Sequence, residues 1–106
     1  KVTDNRVFDT GAQRDTGEGK LKMSLVPHDE LDRVLKRYTD GAAEYGENNW
    51  KKGMPVSELY NSASRHLKSA FQCKIDEDHL AAVCWNVLGM MWTIENKPEM
   101  DDRNES

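Results

Sequence analysis

Asp76-Glu77-Asp78-His79-Leu80-Ala81-Ala82-Val83-Cys84-Trp85-Asn86 is the stretch that decides how the chain folds. Carboxylates suit the positive end of a helix dipole. The apolar run behind them recurs at three- and four-residue steps through Leu80, Val83, Cys84, Val87, Leu88, Met91 and Trp92. The pattern predicts a helix from about Asp76 to Glu95, ended by Lys97-Pro98. That helix is apolar around much of its circumference, more than one neighbour in the same chain needs. A second copy is therefore expected to cover it, completing a helical bundle as a dimer or higher oligomer. Between Leu80 and Ile94 the run is about 15 residues long and broken by Asn86, too short to span a bilayer.

Upstream, Leu31, Val34, Leu35, Tyr38, Ala42 and Tyr45 predict a first helix over about 28–45, closed by Gly46. A turn-rich segment from Gly46 to Pro55 carries Trp50, Lys51 and Lys52 without any period. Pro55 then suits the start of a second helix, whose apolar stripe runs through Leu59, Ala63, His66, Leu67, Ala70 and Phe71 to about Gln72. Residues 1–27 show neither the helical nor the strand period and read as an extended arm, residues 28–96 as the helical domain, and 97–106 as a flexible acidic tail. The fold class expected is all-α, with three main helices after the arm.

The composition narrows the function. The net charge is −4, of which the residues from Glu95 onward carry −3, leaving a body near neutrality. Such a balance excludes a broad footprint on long nucleic acid but leaves room for a local basic pocket holding a phosphorylated small molecule. Cys73 and Cys84 have no partners at zinc-finger spacing and form no disulfide framework, and Cys84, inside the apolar run, reads as a small hydrophobe. No Gly-x-Ser-x-Gly elbow is present, and Asp78-His79 stands in the reverse order of the His-Asp pair that an HD-type metal centre needs.

Candidate chemistry gathers at the acidic junction. His79 and Asn86 lie seven residues apart and share a face of the third helix, while His66 lies on the inward stripe of the second. These residues read either as satisfied core polar groups or as the lining of one polar pocket. Glu77 and Asp78 read either as capping charges or as ligands for a hard divalent cation. Arg65 and Lys52 suit phosphate oxygens, with surface solvation the plain reading of the lysine. Trp50 either stacks on a base or plugs the end of the bundle. In the arm, Arg14 and Lys20 flank a Gly-Glu-Gly segment that resembles no phosphate-binding loop. The Glu44-Tyr45-Gly46-Glu47 pair straddles a glycine at a helix end, so its carboxylates share no helical face.

Five ordered blocks are similar to a family of small phage proteins described as dATP/dGTP diphosphohydrolase-like, usually as its N-terminal domain. They are Phe8 to Asp15, Gly19-Lys20 with Leu25-Val26-Pro27, Gly41-Ala42 through Tyr45-Gly46 to Asn49-Trp50-Lys51-Lys52-Gly53, Arg65-His66-Leu67, and Asp76 to Asn86. The resemblance implies an all-α nucleotide pyrophosphohydrolase-like fold, an oligomer, and magnesium-dependent cleavage between the α- and β-phosphates of a purine deoxynucleoside triphosphate. It also implies the cytoplasm of an infected host cell as the place of action. On this resemblance Glu77, Asp78 and His79 are the expected catalytic residues and Glu77 and Asp78 the magnesium ligands. Arg14, Lys20, Trp50, Lys52, Arg65, His66 and Asn86 are the expected nucleotide contacts. MazG-like members of the wider superfamily carry Glu-x-x-Glu on one helix and Glu-x-x-Asp on the next, whereas here no Asp follows Glu77 at that spacing. A nucleotide pocket without the full clamp suits a second expectation: a non-catalytic protein that sequesters a nucleotide-derived immune signal, such as a cyclic nucleotide, and so blocks host defence.

Overall fold

The computed structural model describes residues 5–104, in which a short β-hairpin precedes three α-helices: α1 (His28–Tyr45), α2 (Val56–Phe71) and α3 (His79–Asn96). The class is all-α, as the periodicity predicts. α1 begins after Pro27, which holds an extended conformation, with Asp29 and Glu30 in the first turn. It stops at Gly46, whose φ of +90° a side chain would resist and whose N–H donates to the Ala42 carbonyl at 2.9 Å. α2 likewise follows a proline, Pro55. The start of α3 is set by Asp78, whose side chain accepts from the Ala81 N–H at 3.2 Å. Asp78 thus satisfies one of the four orphan donors of a helix start.

α3 is the element the other two share: α1 and α2 both pack on it. Its inner surface is built from small residues, Ala81 and Ala82, with Gly89 further along. A Cβ on Gly89 would stand 3.4 Å from a Leu59 methyl, an ordinary van der Waals contact, so Leu59 of α2 packs directly over this position of α3. Val34, Val56 and Ala63 complete a core that is modest for the length of the chain.

Of the expected arm, residues 1–4 lie outside the described residues; the rest folds on itself as a hairpin, with a 3-10 turn at Met23–Leu25 before α1. β1 (Asn5–Val7) pairs antiparallel with β2 (Gln13–Asp15) in the register Arg6 to Arg14, and every residue of both strands is exposed. The radius of gyration of 19.1 Å, against roughly 13 Å for a compact chain of this length, reflects how far the arm projects.

Two expectations change. Residues 98–103, expected to be flexible, fold back through a 3-10 turn at Pro98–Met100, and Asp102 takes the Ser57 N–H at 2.9 Å and its hydroxyl at 2.5 Å. The tail's carboxylate therefore serves as a cap for α2, whose own Pro55 has no side chain able to accept. Cys84, read from the sequence as a small hydrophobe within the apolar run, is exposed. It joins Leu80, Val87, Leu88 and Met91, each at least 43% exposed, in an apolar stripe along the outer face of α3. Among the described residues no helix is long and apolar enough to cross a membrane.

Because Leu59 fills the space over Gly89, Leu59→Ala is expected to destabilise the fold by about 2–5 kcal/mol, measured by urea unfolding.

Candidate functional site

Four side chains from two helices and the loop between them meet where α3 begins. His66, from the middle of α2, places its Nδ1 2.9 Å from the Nδ1 of His79, the first residue of α3. His79 is buried, and its Nε2 lies 2.8 Å from the Asp76 carboxylate. Glu77 completes the group: one of its oxygens and a ring nitrogen of each histidine all lie within 4.8 Å of one another.

The tautomers follow from the neighbours. Asp76 can only accept, so His79 carries a hydrogen on Nε2, and in the neutral ring its Nδ1 is then a bare acceptor. His66 Nδ1–H donates to it. Burial lowers the pKa of His66, which holds that ring neutral near pH 7, while the hydrogen bond from His79 lowers the pKa of Asp76.

Two arginines that the sequence reading missed tie this junction to α1. Arg33 grips Asp78 with two parallel bonds, Nε to Oδ2 at 2.7 Å and Nη2 to Oδ1 at 2.8 Å. One turn on, Arg37 reaches the Glu77 Oε1 at 3.2 Å. The bidentate contact, helped by the Ala81 N–H, takes the Asp78 carboxyl down to about 2. The signal was present: Arg33 and Arg37 are four apart on one helix, matching two adjacent carboxylates, but the polar face of an amphipathic helix is usually only solvated.

On its other side Arg37 borders a cleft of about 680 Å³ whose walls include Tyr38, Trp50 and Trp85 from three different segments, with Asp40, Glu44 and Glu47 along the rim. Trp50 meets Tyr38 edge-on at 5.9 Å and Trp92 at 5.1 Å between ring centroids. It packs against these rings and also lines the cleft. Burial raises the Tyr38 pKa. A second, shallower hollow lies over Arg33, Glu77, Asp78 and His79.

The remaining expected contacts do not converge here. Arg14 sits on β2 and Lys20 in the turn after it, and among the described residues no side-chain hydrogen bond or ion pair joins the arm to the helices. Lys52 and Arg65 are exposed and line neither hollow. Asn86 is buried but donates its amide to the Ala82 carbonyl at 2.8 Å, one turn back on its own helix, and also lines neither hollow. One of its amide hydrogens is thus used within α3, and among the described residues no hydrogen bond joins it to His66.

Magnesium takes oxygen ligands in near-octahedral geometry. Both oxygens of Asp78 are engaged by Arg33, one oxygen of Glu77 is engaged by Arg37, and the other groups at the junction are imidazoles. Glu77 and Asp78 as they stand do not fit a magnesium clamp.

The chain is thus a small helical domain in which an aromatic cleft borders, through Arg37, a cluster of histidines and carboxylates. Residues 10–103 match the family described as dATP/dGTP diphosphohydrolase, N-terminal, and the chain belongs to it. One curated relative, named dATP/dGTP diphosphohydrolase, from Salmonella phage PMBT28, is 26% identical over 94 residues, covering 84% of this chain and 32% of the relative. The chain thus spans about a third of the length of that relative. No solved structure matches.

The depressed pKa of Asp78 gives a pH signature. Its stabilisation is present above the ordinary carboxylate value of 3.8 and is lost as pH falls toward about 2. Arg33→Gln is expected to lower stability modestly at neutral pH, the pair being partly exposed, and its acid-unfolding curve should merge with that of the parent below about pH 2.

Proposed function

We propose that the chain is a nucleotide-binding domain of a phage diphosphohydrolase, taking a purine deoxynucleoside triphosphate and supporting cleavage between its α- and β-phosphates with release of pyrophosphate. One observation carries the reading: in a member of this family, an aromatic cleft and a polar cluster share one arginine, Arg37. Bases stack on aromatic faces, so Tyr38, Trp50 and Trp85 suit the purine. The ligand's direction follows from charge. Asp40, Glu44 and Glu47 line the cleft and repel phosphate, whereas Arg37 leads toward Arg33 and the histidines, so the triphosphate points that way. Of the residues expected to be catalytic, Glu77 and His79 remain beside its path. Asp78 is spent on Arg33 and on the cap of α3.

That engagement of Asp78 favours a second reading, capture of a nucleotide or nucleotide-derived signal without cleavage. Incubation with dATP, dGTP and cyclic nucleotides, with a panel of divalent cations and with EDTA, separates the two when products and bound ligand are read by mass spectrometry. Pyrophosphate release supports the first; intact ligand recovered after denaturation, with binding that survives EDTA, supports the second. Binding of none of these would sink both. Trp50→Ala is expected to weaken nucleotide binding roughly 5- to 150-fold, the worth of one base–aromatic stack, with circular dichroism confirming that the helices persist.

A second copy of the chain is proposed to cover the stripe of Leu80, Cys84, Val87, Leu88 and Met91, since an apolar row of this length is seldom left to water. Sedimentation equilibrium should give at least twice the chain mass, reduced by Met91→Glu. A single-chain mass for the parent protein would refute it.

A further inference from the structure

The junction at the start of α3 has the donors of a different class of metal from magnesium. His79 Nδ1 carries a lone pair because Asp76 holds the ring's hydrogen on Nε2. His66 needs only to move its hydrogen from Nδ1 to Nε2 to present a second lone pair to the same point, with no net change of charge. Glu77 adds a carboxylate oxygen: Arg37 engages Oε1, and Oε2 has no hydrogen-bond partner among the described residues. Two imidazole nitrogens and one carboxylate, coming from α2, the connecting loop and α3, are the ligand set that borderline divalent ions prefer.

We propose that His66, Glu77 and His79 form a binding site for a borderline transition-metal dication of the zinc or cobalt class, with Asp76 as the carboxylate that orients His79. The donors lie within 4.8 Å of one another, and the two Nδ1 atoms at 2.9 Å are slightly closer than two ligands of one tetrahedral metal, so a small ring rotation seats the ion. The pairing of His79 with Asp76 is the carboxylate–histidine arrangement that fixes a metal-binding ring and raises its basicity. Without metal the same groups form a plain hydrogen-bonded imidazole pair, so the folded chain tolerates the empty state and an ion adds to it. The site does not depend on nucleotide cleavage, because an ion held here would serve a capturing protein as well as an enzyme by facing the phosphates.

The test is made without nucleotide. Protein dialysed against chelator and then buffer is titrated with zinc chloride, cobalt(II) chloride and magnesium chloride, following heat by calorimetry and, for cobalt, visible absorption. One zinc or cobalt ion per chain is expected, with no saturable heat from magnesium, and with a cobalt spectrum free of thiolate charge-transfer bands, since Cys73 lines the hollow beside the cluster. Asp76→Asn should weaken zinc binding about 10- to 100-fold and Glu77→Gln and His66→Gln at least as much. Should His66→Gln fail to fold, Glu77→Gln decides, its side chain being 44% exposed. Absence of saturable zinc or cobalt binding, unchanged affinity in Glu77→Gln, or thiolate bands in the cobalt spectrum would overturn the site.

Discussion

α3 is apolar around most of its circumference, and the architecture follows from covering its inner face, the outer stripe staying exposed. α1 takes one side and α2 another, and the small residues Ala81, Ala82 and Gly89 let them approach. Close approach has a second effect: polar groups carried on the inward faces are brought to hydrogen-bonding distance. His66 meets His79 because Leu59, seven residues earlier on α2, is seated against Gly89, ten residues further along α3. Packing of α2 on α3 and the geometry of the histidine pair thus go together.

The acidic junction divides its three carboxylates among three tasks. Asp76 orients an imidazole, Asp78 caps α3 and pairs with Arg33, and Glu77 is held through one oxygen by Arg37. Exposed ion pairs contribute little to stability singly. Their value here is positional, since Arg33 and Arg37 together fix the rotation of α1 against the start of α3 and so aim Tyr38, one residue on, into the aromatic cleft.

Much of this was legible in the sequence because strong periods survive without tertiary knowledge. The helices fall where Leu31 to Tyr45, Leu59 to Phe71 and Leu80 to Trp92 placed them, and proline and glycine marked their ends. The pairing of His66 with His79 was legible as two histidines on inward stripes. What escaped depends on contacts between distant segments. Asn86 shares a helical face with His79, yet its own helix's carbonyl satisfies it, and spacing cannot tell the two outcomes apart. Asp102 looked like tail charge because its partner, Ser57, stands 45 positions away. Arg33 and Arg37 looked like solvated surface for the same reason. Arg14 and Lys20 drew notice for their charge alone, and the hairpin keeps them apart from the helices.

The engagement of Asp78 bears on what the domain can do. A carboxylate held by a bidentate arginine and a helix N–H is a poor candidate to leave for a cation, because departure would strand the Arg33 charge and reopen the first turn of α3. The groups at this junction not held by an arginine are the two hydrogen-bonded imidazoles and the second oxygen of Glu77. Those are also the groups nearest the path of a phosphate chain entering past Arg37. An incoming triphosphate would compete with Glu77 for Arg37, and loosening that pair would free a second Glu77 oxygen at the moment the ligand arrives. On the proposed function, occupation of the cleft and completion of the polar cluster would be linked through a single guanidinium, Arg37, which both bonds Glu77 and lines the cleft.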